Sequence, residues 1–167
     1  MERVLPGVIE LTAAHPAQTV FTHFIPLEKP EEGRGAWKRY YQRWANMTLS
    51  VLDRNLVDLV PPLAKFAPPA KIVDKRVYSP WNATNLSEVL QSGRIDTLIV
   101  TGGETDVCVL STVLGAIDFG YRVILVKDGL CSSADETHDA LMTVYSSRYS
   151  QQVELVELQE VLLNWRP

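Results

Sequence analysis

The sequence has little cysteine, little histidine and no long apolar run, and each shortage excludes something. Two cysteines in 167 residues cannot build a disulfide scaffold, which makes a reducing cytoplasm the default compartment. The three histidines, His15, His23 and His138, are scattered without metal-ligand spacing, so no metal is expected. No stretch approaches the ~20 apolar residues of a membrane span. The start, MERVLPGVIEL, lacks the apolar core of a secretory signal. Positive charge is also in deficit. Lysine plus arginine is 16 against 20 for aspartate plus glutamate, a net charge of −4 with a pI near 5.4. Such a chain offers no general polyanion-binding surface, and nucleic acid is not an expected partner. Internal repeats and low-complexity tracts are missing as well.

What remains is a globular composition, 46% hydrophobic and 22% charged, of a length suited to one domain over residues 1–167. The second half alternates regularly. A β-branched run from Ile95 to Thr101 ends in Gly102-Gly103, and Thr105 to Phe119 is predicted as a helix closed by Gly120. Tyr121 to Val126 is the next strand, Asp128 to Ser133 a turn, Ala134 to Tyr149 a helix and Val153 to Val156 a last strand. In the first half, Arg3 to Ala14 is predicted helical, Thr19 to Phe24 and Lys71 to Asp74 extended, and Asn85 to Gln91 helical. Strands alternating with helices predict βαβ units. The fold class is therefore α/β, a three-layer α/β/α sandwich around an open, mostly parallel, Rossmann-like sheet. Sites in such folds lie beyond the carboxyl ends of the strands. That directs attention to the residues after 75, 101 and 126.

Thr101-Gly102-Gly103-Glu104-Thr105-Asp106-Val107-Cys108 leaves a strand and opens a helix. A cysteine in a first helical turn meets free backbone N–H groups and the positive end of the dipole, which favour a thiolate nucleophile. A buried cysteine packing as a small hydrophobe is the competing reading. Lys75 ends a strand on the same sheet edge, where it either polarises the thiolate or is simply a surface lysine. Tyr78 and Trp81 follow it closely and are candidates for an apolar pocket wall, with a core role open for Trp81. His23 ends a strand and either lines the pocket or is structural. Cys131 reads as a packing residue, and His138 as a helix residue on or near the surface. Residues 27–50 carry Trp37, Tyr40, Tyr41 and Trp44 among basic residues. They suit a lid over the site or a subunit contact.

Taken together, TGGETDVCV, the helix ending before Gly120-Tyr121, the strand VILVKD and the later Ser132, Ser133, Glu136 and His138-Asp139-Ala140-Leu141 resemble the isochorismatase-like cysteine hydrolases. That family includes nicotinamidases and N-carbamoylsarcosine amidases. The resemblance runs from about Val20 to the C-terminus. It implies a hydrolase acting on a C–N bond other than a peptide bond, in a small amide or carbamoyl substrate. The reaction passes through a thioester on Cys108, with Lys75 as the lysine of the family's Asp-Lys-Cys set. It also implies a cis peptide at Gly103–Glu104 and an oxyanion hole made by the backbone N–H groups of Glu104 and Cys108. The expected pocket comprises Gly103, His23, Tyr78 and Trp81. No cofactor is implied, and a homo-oligomer, dimer or tetramer, is. The nicotinamidase metal cluster, Asp-His-His in the region of residues 20–45, has only His23 to supply it.

One departure stands out. The family begins with a central apolar strand ending in the aspartate that serves as base. Here Met1 to Val4 already reads as the start of the following helix, and no aspartate precedes Val20. The expectation is that this strand lies before an internal start. The alternative is a degenerate, catalytically inactive member that acts as a binding or interaction module. Without the strand, unpaired interior backbone groups would each cost about 1–3 kcal/mol. The chain would then be marginal, or would fill the gap by rearrangement or from a partner chain.

Overall fold

The computed structural model describes residues 1–165. Seven helices and five strands follow one another in the order α1 (Leu5–Ala14), β1 (Val20–Phe24), α2 (Ala36–Arg43), α3 (Pro61–Ala64), β2 (Lys71–Lys75), α4 (Leu86–Ser92), β3 (Thr97–Gly103), α5 (Leu110–Asp118), β4 (Arg122–Cys131), α6 (Asp135–Ser147), β5 (Val153–Val156) and α7 (Leu158–Asn164). Every strand pairing among the described residues is parallel. Parallel neighbours need crossovers, and the helices between them supply these.

The apolar residues of the C-terminal strands divide between two faces. Val123 and Leu125 of β4, with Leu98, Val100, Val153 and Leu155, pack against Val109, Val113, Ala116 and Tyr145 from the side of α5 and α6. Val126, with Ile99 and Val156, packs against Leu11 of α1 and Leu158 and Val161 of α7. A strand sends successive side chains to opposite faces, so covering both faces requires a continuous apolar run such as VILV. The expected three layers follow directly.

The sheet is not continuous. β1 pairs with β2, and β3, β4 and β5 form a separate three-stranded sheet in that order. β1 and β3 each keep one edge without a strand partner among the described residues. The two sheets are joined by a cluster in which Val20, Val73, Leu86 and Leu90 meet Leu98, Trp81 and Tyr121.

Two predicted elements change, and two helices are added. Residues 128–131, expected as a turn, continue β4, because Gly102 pairs with Leu130 and Gly103 with Cys131 after a register shift beyond Val100. The helix predicted from Thr105 opens instead with a wider π turn over Thr105–Val109. Helices α2 and α7 form in segments for which no helix was expected. Among the described residues no helix is long and apolar enough to cross a membrane.

Candidate active site

Lys75 closes β2 and Cys108 lies in the turn that follows β3, so both stand beyond carboxyl ends of parallel strands. The Lys75 Nζ donates to Cys108 Sγ at 3.1 Å. Its other hydrogen bonds go to the carbonyls of Tyr78 at 2.8 Å and Val77 at 3.2 Å. The lysine is 3% exposed, so its ammonium is held by these three acceptors rather than by water. A buried ammonium persists only where it is fully hydrogen-bonded. The Nζ also lies 5.3 Å above the centre of the Phe24 ring. Phe24 pairs with Lys75 in register, which puts both on one face of the two-stranded sheet.

An aromatic wall stands beside this pair. Trp37 of α2 lies 4.8 Å from Tyr78 and 6.4 Å from Phe24, ring centre to ring centre, and 5.4 Å from Tyr40. Burial raises the Tyr78 phenol above its ordinary value, and the neighbouring Tyr40, Cys108 and Glu104 add to that in turn. Tyr78 thus belongs to the surroundings of the thiol. Within the segment 27–50, Trp37 packs on Phe24 and Tyr78, whereas Trp44 and Met47 are exposed.

The turn carrying Cys108 has the expected backbone. Gly103–Glu104 is cis. The Glu104 carbonyl accepts from the N–H groups of Val107 and Val109, at 3.1 and 3.0 Å. Gly103 lies against Cys131, and a Cβ there would come within 3.1 Å of the Cys131 sulfur and carbonyl oxygen. Cys131 therefore packs beneath the turn.

Two expected pocket residues are placed elsewhere. His23 pairs in register with Asp74, one position before Phe24 and Lys75, and strand alternation turns it to the opposite face. Its Nδ1 lies 2.9 Å from Asp74 Oδ1, and its Nε2 meets the Val57 carbonyl. Trp81 lies along α5, donating from Nε1 to the Thr112 carbonyl at 2.9 Å and packing on Phe119 and Tyr121. A Cβ at Gly115 would approach the Trp81 ring to 2.2 Å, so the indole occupies the space that this glycine leaves. His23 is the one histidine between residues 20 and 45, and both of its ring nitrogens are occupied. Among the described residues no three His, Cys, Asp or Glu side chains converge, so an Asp-His-His metal cluster does not fit there.

The sequence reading missed Phe24, whose signal was its register opposite Lys75, and three residues that brace the turn. Thr105 is fully buried, with His138 Nδ1 at 2.9 Å from its hydroxyl and the Tyr145 hydroxyl at 3.2 Å from its carbonyl. His138, expected on or near the surface, is half-buried against that turn. Burial holds the Tyr145 phenol well above its ordinary value. The Asp106 carboxyl is lowered, first by the Ser132 hydroxyl and then by that of Thr137.

The isochorismatase domain matches residues 2–156. The chain is 30% identical over 95 residues to nicotinamidase 3 of Arabidopsis thaliana, covering 57% of this chain and 48% of that protein. It is 44% identical over 57 residues to the N-carbamoylsarcosine amidase of an Arthrobacter species, covering 34% of this chain and 22% of the relative. The match thus spans about half the length of the first and less of the second. In fold it superposes on the cysteine hydrolase of Pseudomonas syringae pv. phaseolicola with a TM-score of 0.77 at 24% identity, over 97% of this chain and 79% of that one.

Proposed function

The chain belongs to the isochorismatase domain family, and from that premise we propose that it is a cysteine hydrolase cleaving the C–N bond of a small amide or carbamoyl compound. The observation that carries this is the Lys75–Cys108 contact of 3.1 Å, an ammonium fixed by burial beside a sulfur at the carboxyl edge of the sheets.

In this reading the Cys108 sulfur bonds to the substrate carbonyl carbon. The C=O π pair moves to oxygen, where the N–H groups of Glu104 and Cys108 receive it. No backbone or side-chain acceptor among the described residues takes the Glu104 N–H, which leaves it available for that role. Return of the electron pair expels the nitrogen, which takes up the proton given up by the thiol and leaves as ammonia or amine, and a thioester remains. Water then attacks the same carbon and releases the acid and the thiol. Donors prepositioned where charge develops are usually the largest catalytic term. Lys75 orients the sulfur, and Phe24, Trp37 and Tyr78 give the acyl group an apolar wall. A base carries the thiol proton to the departing nitrogen. A parallel strand ending in aspartate between β1 and β3 would bring a carboxylate to the carboxyl edge, beside Cys108. Assembly as a dimer or tetramer belongs to the same proposal, and the exposed Trp44, Met47, Val51 and Leu56 suit a subunit contact.

The second reading, a binding module without catalysis, draws on the open edges of β1 and β3, since no carboxylate is hydrogen-bonded to the thiol or to Lys75 among the described residues. Ammonia release separates the two. Nicotinamide, N-carbamoylsarcosine and a panel of simple primary amides are incubated with the protein and with Cys108→Ala. Release that Cys108→Ala abolishes supports the hydrolase. Release from neither protein with any amide supports the binding module.

A further inference from the structure

The turn over residues 104–109 is braced from outside itself. Thr105, its first helical residue, is fully buried and held at three points. Its hydroxyl donates to the Cys131 carbonyl at 3.0 Å. That uses its single proton, so at its second contact, 2.9 Å from His138 Nδ1, the hydroxyl accepts and the ring nitrogen carries the hydrogen. The Tyr145 hydroxyl donates to the Thr105 carbonyl at 3.2 Å. His138 and Tyr145 lie seven residues apart on α6, about two turns, and so share one face. The neighbouring Asp106 is tied to Ser132. None of these side chains bonds to the Cys108 sulfur or to Lys75.

Resting on the hydrolase reading above, we propose that His138, with Tyr145, is a positioning residue for the oxyanion-binding turn. Thr105 follows Glu104 directly and precedes Cys108 by three residues, so its placement sets the direction of both N–H groups. Donors must be held within about 0.5 Å of the productive geometry to act. Two loop glycines and a short π turn do not enforce that by themselves. Helix α6 does, because Tyr145 is itself fixed in the core between α5 and β4. His138 leaves the nucleophile's own reactivity untouched and governs only what the turn does for a tetrahedral oxygen.

The test uses acetaldehyde and iodoacetamide together. Acetaldehyde adds reversibly to the thiol: the sulfur bonds to the carbonyl carbon, the π pair moves to oxygen, and the thiol proton ends on that oxygen. The adduct samples the oxyanion hole. Iodoacetamide alkylates by displacing iodide and generates no such oxygen. Protection of Cys108 from iodoacetamide by acetaldehyde is measured by mass spectrometry in the full chain. With His138→Leu, the protecting concentration is expected to rise about tenfold or more while alkylation without aldehyde stays within about twofold. His138→Asn, which returns an N–H at the Nδ1 position, recovers most of the loss. Should His138→Leu fail to fold, Tyr145→Phe removes one hydroxyl only and is expected to show the same split at several-fold. An unchanged protecting concentration, or protection and alkylation falling in parallel, overturns the positioning role alone. Absence of protection in the unaltered protein overturns the hydrolase reading, and this inference with it.

Discussion

The two sheets differ more in surroundings than in composition. β4 reads RVILVKDGLC and β1 reads VFTHF, and both carry β-branched and large apolar residues. Yet Val123, Leu125 and Val126 of β4 are fully buried, whereas no residue of β1 is. β4 has strands on both edges and helices on both faces. β1 has a strand on one edge, and Ile72 of its partner β2 is 48% exposed. Burial here follows from neighbours rather than hydropathy. The site straddles the divide, since Cys108 hangs from the well-packed sheet and Lys75 from the other. Its geometry is therefore expected to be only as firm as the weaker side.

Four measurements press on this contrast. The largest effect is expected where the two regions meet. Lys75→Met should slow iodoacetamide alkylation of Cys108 at pH 6–7 by tenfold or more and lower ammonia release at least a hundredfold, with Cys131 unaffected. Equal rates in both proteins would show that the 3.1 Å contact does nothing for the thiol. Next, Leu125→Ala in β4 is expected to cost about 2–5 kcal/mol in urea denaturation, as for other buried leucines. Phe21→Ala in β1 should cost less than half as much, and a larger loss there would dissolve the contrast. Third, native-state hydrogen exchange should show β1 and β2 amides opening locally, at a lower free energy than the β4 amides, which exchange on global unfolding. Uniform protection would mean that the two sheets behave as one.

The smallest effect concerns Asp106, whose carboxyl is lowered by Ser132. A group depressed in the folded state contributes stability above its unfolded value, 3.8, and loses that contribution as pH falls through the folded value. Ser132→Ala is therefore expected to be destabilised by less than about 1 kcal/mol at pH 6. The gap should narrow in thermal melts as pH falls below 3.8. A gap that widened in acid would contradict the assignment.

How far the sequence could be read varies by residue. Cys108 and Lys75 were legible because each follows a β-branched run, and parallel strands send their carboxyl ends to one edge. The Gly103–Glu104 backbone came from the resemblance rather than from propensity. Trp81 and His23 were harder. Their positions near strand ends are correct, but the side of the strand, or of α5, that each faces depends on register and on a glycine elsewhere in the chain. Gly115 opens the space that Trp81 fills, and Asp74 and Val57 turn His23 outward. The extension of β4 to Cys131 was hidden because Asp128-Gly129 is turn-like until β3 offers it a ladder. His138 belonged to the pattern that carried the resemblance, but its contact left no local trace, since its partner Thr105 is 33 positions away.

By itself, then, the sequence determined the layers and the order of the elements, because apolar periodicity and glycine placement are local properties that hold before any contact forms. It also placed Lys75 and Cys108 at the carboxyl ends of strands. The tertiary structure alone decided that the strands divide into two sheets, that α6 braces the Cys108 turn, and that Phe24, rather than His23, lies over the Lys75 ammonium, with Trp37 packed on Phe24 and Tyr78. Those outcomes rest on strand register and on buried hydrogen bonds between distant residues. Such bonds have a direction and a partner only once the backbone has brought the two groups within about 3 Å.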